Sequence, residues 1–128
     1  MINSISHSPM RKLELRADKL WSQVIYAVFE GHCAKCGSTY GVTPHHVIKR
    51  RNKSVRHEIY NGLLHCPLCH SWAENHPEEY LEWMKGKFPK HHAWNADNRN
   101  RPVKVRYGHA LLKKIDELKN MKRQLEEL

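Results

Sequence analysis

The chain has 128 residues, 40% of them hydrophobic, with a formal charge of +9 and a pI near 9.6. This length fits one domain, and the basic balance favours a polyanionic partner, nucleic acid above all. No apolar run approaches the roughly 18 residues a membrane span needs. The opening "MINSISHSPMRK" has no apolar stretch of the secretory type, so the expected compartment is intracellular. There, four cysteines read as metal ligands rather than disulfides.

In chain order, residues 1–9 read as a flexible N-terminus that ends in an N-cap, Ser8, and a first-turn proline, Pro9. Leu13, Ala17, Leu20, Trp21, Val24, Ile25 and Val28 recur at helical spacing, which predicts a helix over 10–31 closed by Gly31. "GHCAKCGSTYG" is turn-like, and "VTPHHVIKRR" has the β-branched content of a strand. Residues 51–58 read as a loop, and "EIYNGLLHC" as a second short apolar segment with a turn-prone Asn61-Gly62 pair. "CHSWAENHPEEYLEWMKGKF" reads as a helix in two pieces, the second opened by Pro77 with Asn75 or His76 near its cap. Residues 89–106 are polar enough to predict a linker or surface loop, in which "VKVRY" is a candidate strand. From 107 to 128 a helix carries Leu111, Ile115, Leu118, Met121, Leu125 and Leu128 on one stripe, suited either to docking on its own domain or to a homodimer seam. Trp72, Trp83 and Trp94 read as packing residues.

Cys33-x2-Cys36 and Cys66-x2-Cys69 are two CxxC pairs with 29 residues between them. A two-residue gap lets both thiolates of a pair face one ion, and two pairs complete a tetrahedral sulfur site suited to structural Zn²⁺. Between the pairs lie His45 and His46, followed by Lys49, Arg50, Arg51, Lys53 and Arg56, a basic loop suited to the phosphate backbone of DNA. Asn61 follows His46 by 15 positions, and His70 comes directly after Cys69. One metal and one neutral imidazole are a sufficient set for phosphodiester hydrolysis. Adjacent residues on a regular strand point to opposite faces, so His45 and His46 can serve one phosphate only where the strand bends or ends.

"CAKCG", "PHHVI" and "YNGLLHCPLCH", spanning 33 to about 76, resemble the HNH endonucleases of the ββα-metal (His-Me finger) class, of the kind found in phage and mobile elements. The resemblance implies an α+β fold. A ββα-metal core over 32–88 with treble-clef-like four-cysteine zinc knuckles would be flanked by the N-terminal and C-terminal helices. It implies His45 and His70 as ligands of a catalytic divalent metal, His46 as general base, and Asn61 as the residue that fixes the hairpin and orients the base. Glu74, one turn after His70, takes the place where some relatives have a third ligand, with His76 a weaker candidate. Its carboxylate tilts the metal toward Mg²⁺ or Mn²⁺, with Ni²⁺ or Zn²⁺ as alternatives. The expected function is metal-dependent DNA cleavage, in a host-cell cytoplasm for a phage protein. The alternative is a non-catalytic four-cysteine zinc module that binds nucleic acid.

Overall fold

A computed structural model describes residues 8–102 and 107–128. The expectations for a flexible segment at 1–9 and a strand at 103–107 fall outside those residues, except that Ser8 and Pro9 cap and open the first helix and Tyr107 opens the last. Among the described residues the fold is α+β: five helices and one two-stranded antiparallel sheet. None of these helices is long and apolar enough to cross a membrane.

Helix α1 spans Pro9–Val28, and the Ser8 hydroxyl caps it by accepting from the Arg11 amide at 3.2 Å. Strand β1 (Thr43–His46) pairs with β2 (Gly62–His65), so that His45 faces Leu63 and His46 faces Gly62 across the ladder. Cross-strand partners share a face of the sheet, and the core divides accordingly. Leu64 packs with Trp21, Val24 and Ile25 of α1 on one side, while Leu63 packs with Ala73, Tyr80 and Met84 on the other. All four residues of β2 are buried for this reason.

Asn61-Gly62 is not a hairpin turn. The strands are joined by the long segment 47–61, whose last three residues form a 3-10 turn, and Gly62 opens β2. Glycine is required there by approach rather than by turning. A Cβ would lie 2.6 Å from both Ile25 Cδ1 and Trp21 Cζ2, so any side chain would push α1 off the sheet.

Helices α2 (Pro67–Asn75), α3 (Pro77–Lys87) and α4 (Pro89–Asn98) follow in series. Their joints are His76 and Phe88, each preceding a proline and each held at φ near −130° and ψ near 65°. Proline excludes the helical conformation from the residue before it, which is why the run breaks at these two positions. Helix α4 corrects the expected linker at 89–106. Its sequence shows no apolar periodicity because its main anchor is polar: fully buried Asn95 donates to the Tyr60 carbonyl at 3.1 Å. Trp72 and Trp83 pack against the second core cluster, and Trp94 is half-buried.

Helix α5 (Tyr107–Glu126) lies along α1. Leu111, Ile115 and Leu118 are buried against Ala17 and its neighbours, and Met121 and Leu125 pack on the cluster around Trp21. Burying each such side chain contributes about 2 kcal/mol. The stripe is therefore docked within the chain through Leu111, Ile115 and Leu118, while Met121 and Leu125 are half-buried and Leu128 is exposed.

Candidate metal centres and the cleft beside them

The four cysteines converge, with all Sγ atoms within 4.8 Å of one another. Backbone geometry brings them there. Gly37, at φ 79°, lets its amide donate back to the Cys33 carbonyl at 2.9 Å, closing the first knuckle. The Ala34 amide ties that knuckle to the Leu64 carbonyl at 2.7 Å. Cys66 is the N-cap of α2 and Cys69 sits in its first turn. A tetrahedral site with metal–sulfur bonds of about 2.3 Å needs sulfur–sulfur edges of about 3.8 Å, and Cys36 and Cys66 are 3.6 Å apart. The donor set thus fits a structural metal. Burial pushes the Cys33 thiol up, but backbone amides of Cys36, Cys66 and Lys35 outweigh it and bring it to about 6.

A second convergence involves His45, His70 and Glu74. Glu74 Oε1 lies 3.8 Å from His45 Nδ1 and 3.5 Å from His70 Nε2, while its other oxygen, Oε2, accepts from Lys49 Nζ at 2.7 Å. His70 and Glu74 are one turn apart on α2 and so share its face; His45 reaches them from β1. Three protein donors at metal–ligand bonds of about 2.1 Å need edges of about 3.0–3.4 Å, so a small inward movement suffices. The set of two imidazoles and one carboxylate leaves positions for water or a phosphate oxygen. Burial, then the nearby His70 and His65, lower His45 to about 3, which keeps its imidazole neutral and able to ligate. The Lys49 ammonium holds the Glu74 carboxyl below its ordinary value. His76 is not in the set; it forms the α2–α3 joint instead.

His46 lies on the opposite face of β1. Its ring stacks on Trp21 with centroids 4.0 Å apart, and Nε2–H donates to the Arg56 carbonyl at 2.9 Å. That bond places the lone pair on Nδ1, which has no partner among the described residues and is not sealed from solvent. Burial lowers this imidazole to about 4, so it is neutral at pH 7. The strand does not bend between the two histidines; it ends at His46.

Asn61 is fully buried and fastens the loop that carries the Arg56 carbonyl. Its Oδ1 accepts from the Ile48 amide at 2.6 Å, and Nδ2 donates to the Ile48 and Val55 carbonyls at 3.0 and 3.2 Å. The same loop is fastened from α1. Arg56 makes a two-point contact with Asp18, at 2.9 and 2.6 Å, and His57 Nε2 meets Asp18 Oδ1 at 2.6 Å. Burial works against the Asp18 carboxylate, but hydrogen bonds from His57 and Arg56 outweigh it and hold the carboxyl well below the ordinary range.

These contacts revise the basic loop. Arg56 is buried and paired with Asp18 and Glu14, so it is an internal anchor and not a phosphate contact. Lys49 is paired with Glu74, and Arg50 and Lys53 stand 3.7 and 3.5 Å from Asp18 and Glu14. The last two pairs are long, half-exposed on the basic side and loosely held. Arg51 makes no ion pair with a described residue. His57, beside Arg56, is likewise buried, against Asp18. His65 is fully buried between Cys33 Sγ at 3.6 Å and the Tyr80 hydroxyl at 2.8 Å. Tyr80 in turn packs its ring edge-on to His45, at 5.3 Å, so His65 and Tyr80 join the two metal-capable clusters.

Lys49 and Arg51 face an open cleft of about 500 Å³ that begins at His45 and Glu74 and reaches Arg99. Asp18, Glu14 and Arg99 are the residues that pattern reading passed over. The two acids had a signal: they occupy the same stripe of α1 as Ala17 and Trp21, where an acid needs a partner. Arg99 had none, because it lies in the segment read as a linker. No protein-family model, curated protein or solved structure matches the chain.

Proposed function

We propose that the protein is a metal-dependent endonuclease of the HNH type, hydrolysing phosphodiester bonds in DNA. The observation that carries this reading is the meeting of His45, His70 and Glu74 at the end of β1, where the next residue, His46, has its Nδ1 lone pair directed by the Arg56 carbonyl. A divalent ion held by His45, His70 and Glu74, of the Mg²⁺ or Mn²⁺ class, would supply positive charge to the phosphate and to the departing oxygen. His46 Nδ1 accepts the proton of the water that attacks phosphorus. Its Nε2–H bond to Arg56 keeps the ring in that tautomer and spreads the charge it gains. Burial makes His46 a weaker base than free imidazole, and a phosphate anion beside it raises its proton affinity again. Asn61 and the Asp18–Arg56 pair hold the loop, and hence the Arg56 carbonyl, in place. Lys49 and Arg51 receive the phosphate backbone, with Arg50 and Lys53 beside them.

The four cysteines hold a zinc ion that ties the first knuckle to the start of α2. With four sulfur ligands it offers no open position, so its part is structural. A zinc module that only binds nucleic acid would explain the cysteines and the charge, but it has no use for the His45–His70–Glu74 set or for a directed lone pair on His46.

Supercoiled plasmid incubated with Mg²⁺ or Mn²⁺ should be converted to nicked or linear forms, and chelation of the added ion should stop the conversion. Plasmid that is bound but uncut with every divalent ion would favour the binding module.

A further inference from the structure

The cleft that starts at the His45–His70–Glu74 cluster has apolar lining and a further cation, Arg99, that the cleavage chemistry does not use. Its lining includes the apolar Val47, Ala73 and Leu81, which are buried or half-buried, and the cationic Lys49, Arg51 and Arg99, which are exposed. The single acid in its lining is Glu74, the residue shared with the metal cluster. Arg51 and Arg99 form no ion pair with a described residue. Its volume of about 500 Å³ falls within the range of small-ligand sites, roughly 300–1,000 Å³. Buried apolar groups beside exposed guanidinium and ammonium groups match one kind of occupant on a nucleic acid strand: a nucleobase against the apolar lining, with its flanking phosphates on the cations.

Resting on the nuclease reading, we propose that this cleft is a subsite for an unpaired nucleotide next to the cleaved phosphate. A base inside a continuous duplex is stacked and paired, and entering the cleft would require pulling it out at a cost in free energy. A nucleotide at a flap, bulge, branch or single-stranded end has already lost that stacking. The substrate class is therefore DNA with an unpaired nucleotide adjacent to the cut. Arg99, from the C-terminal end of α4, and Leu81, on α3, are its specificity residues.

The test compares two oligonucleotides of equal length, one a perfect duplex and one with a single unpaired 2-aminopurine, binding to the full chain without added divalent ion. Fluorescence anisotropy should show about tenfold tighter binding of the unpaired substrate, the scale of roughly 1.4 kcal/mol from apolar area buried against the base. Emission of the 2-aminopurine should shift on binding. Arg99→Ala, at an exposed position, and Leu81→Glu should remove most of that preference, weakening binding of the unpaired substrate several-fold more than binding of the duplex. Circular dichroism shows whether each variant is folded. Equal affinity for both substrates overturns the subsite; if the plasmid is still cut, the nuclease reading stands without it. A preference that survives in a folded Arg99→Ala and a folded Leu81→Glu also overturns it. Absence of both DNA binding and cleavage overturns the subsite together with the reading beneath it.

Discussion

Helix α2 carries residues of both metal-capable clusters, and they are built in opposite ways. Cys66 and Cys69 belong to a closed set whose positions follow from backbone: a knuckle glycine, an N-cap and a first helical turn. His70, the next residue, belongs to an open set placed by side chains from β1 and α2, with Lys49 on one oxygen of its carboxylate. The closed set is made of thiolates alone and has no free coordination position. The open set mixes imidazole with a carboxylate, is half-exposed at His70 and Glu74, and borders a cleft. The contrast teaches that one helix can feed a closed, all-sulfur set with one residue and an open, mixed set with the next, because backbone places the first and side chains place the second.

The largest way to break this contrast is Cys66→Ser. A structural zinc contributes about 10 kcal/mol or more, comparable with the whole stability of a domain this size. The variant should be unfolded or aggregated by circular dichroism and lack zinc, while the wild type should retain roughly one zinc per chain after mild chelation. A folded, zinc-free Cys66→Ser protein would remove the structural role. Asn61→Ala comes next. It strips partners from the Ile48 amide and two carbonyls, so stability should fall by about 3 kcal/mol in urea denaturation.

Asp18→Asn should cost about 2 kcal/mol near neutral pH, because buried Arg56 loses a two-point partner. The sign with pH is fixed by the low Asp18 carboxyl. Its contribution is fully present above its ordinary value of 3.8 and is lost as pH falls below it toward the folded value. The gap between wild type and variant should therefore close as acid is added, in urea midpoints measured across that range. The smallest effect on the fold is expected from His70→Ala, within about 0.5 kcal/mol, since His70 is half-exposed and outside the zinc set. Its loss should appear instead as weaker binding of the second divalent ion, measured by calorimetry.

Legibility in the sequence followed the range of the interactions. The four-cysteine set was readable because its spacing is local and its chemistry admits few alternatives. The i, i+4 relation of His70 to Glu74 was readable for the same reason. Strand alternation raises the problem of which face of β1 each histidine takes, and cross-strand pairing with Leu63 and Gly62 resolves it. What pattern reading missed is long-range. Nothing around Arg56 shows that Asp18, 38 positions earlier, neutralises it. Nothing in "PKHHAWNADN" reads as helix when its anchor is an asparagine bonded to a distant carbonyl. Gly62 read as a turn because glycine marks both turns and close approaches.

The most direct test of the central claim is plasmid cleavage titrated with divalent metal for wild type, His46→Ala and His70→Ala, with DNA binding followed in parallel. His46→Ala should bind DNA and metal as the wild type does and cut about a hundredfold or more slower at every metal concentration. His70→Ala should be inactive at low metal and recover in part at high metal. A His46→Ala protein that cuts at the wild-type rate would contradict the assignment of the base, and normal cutting by both variants would contradict the site itself.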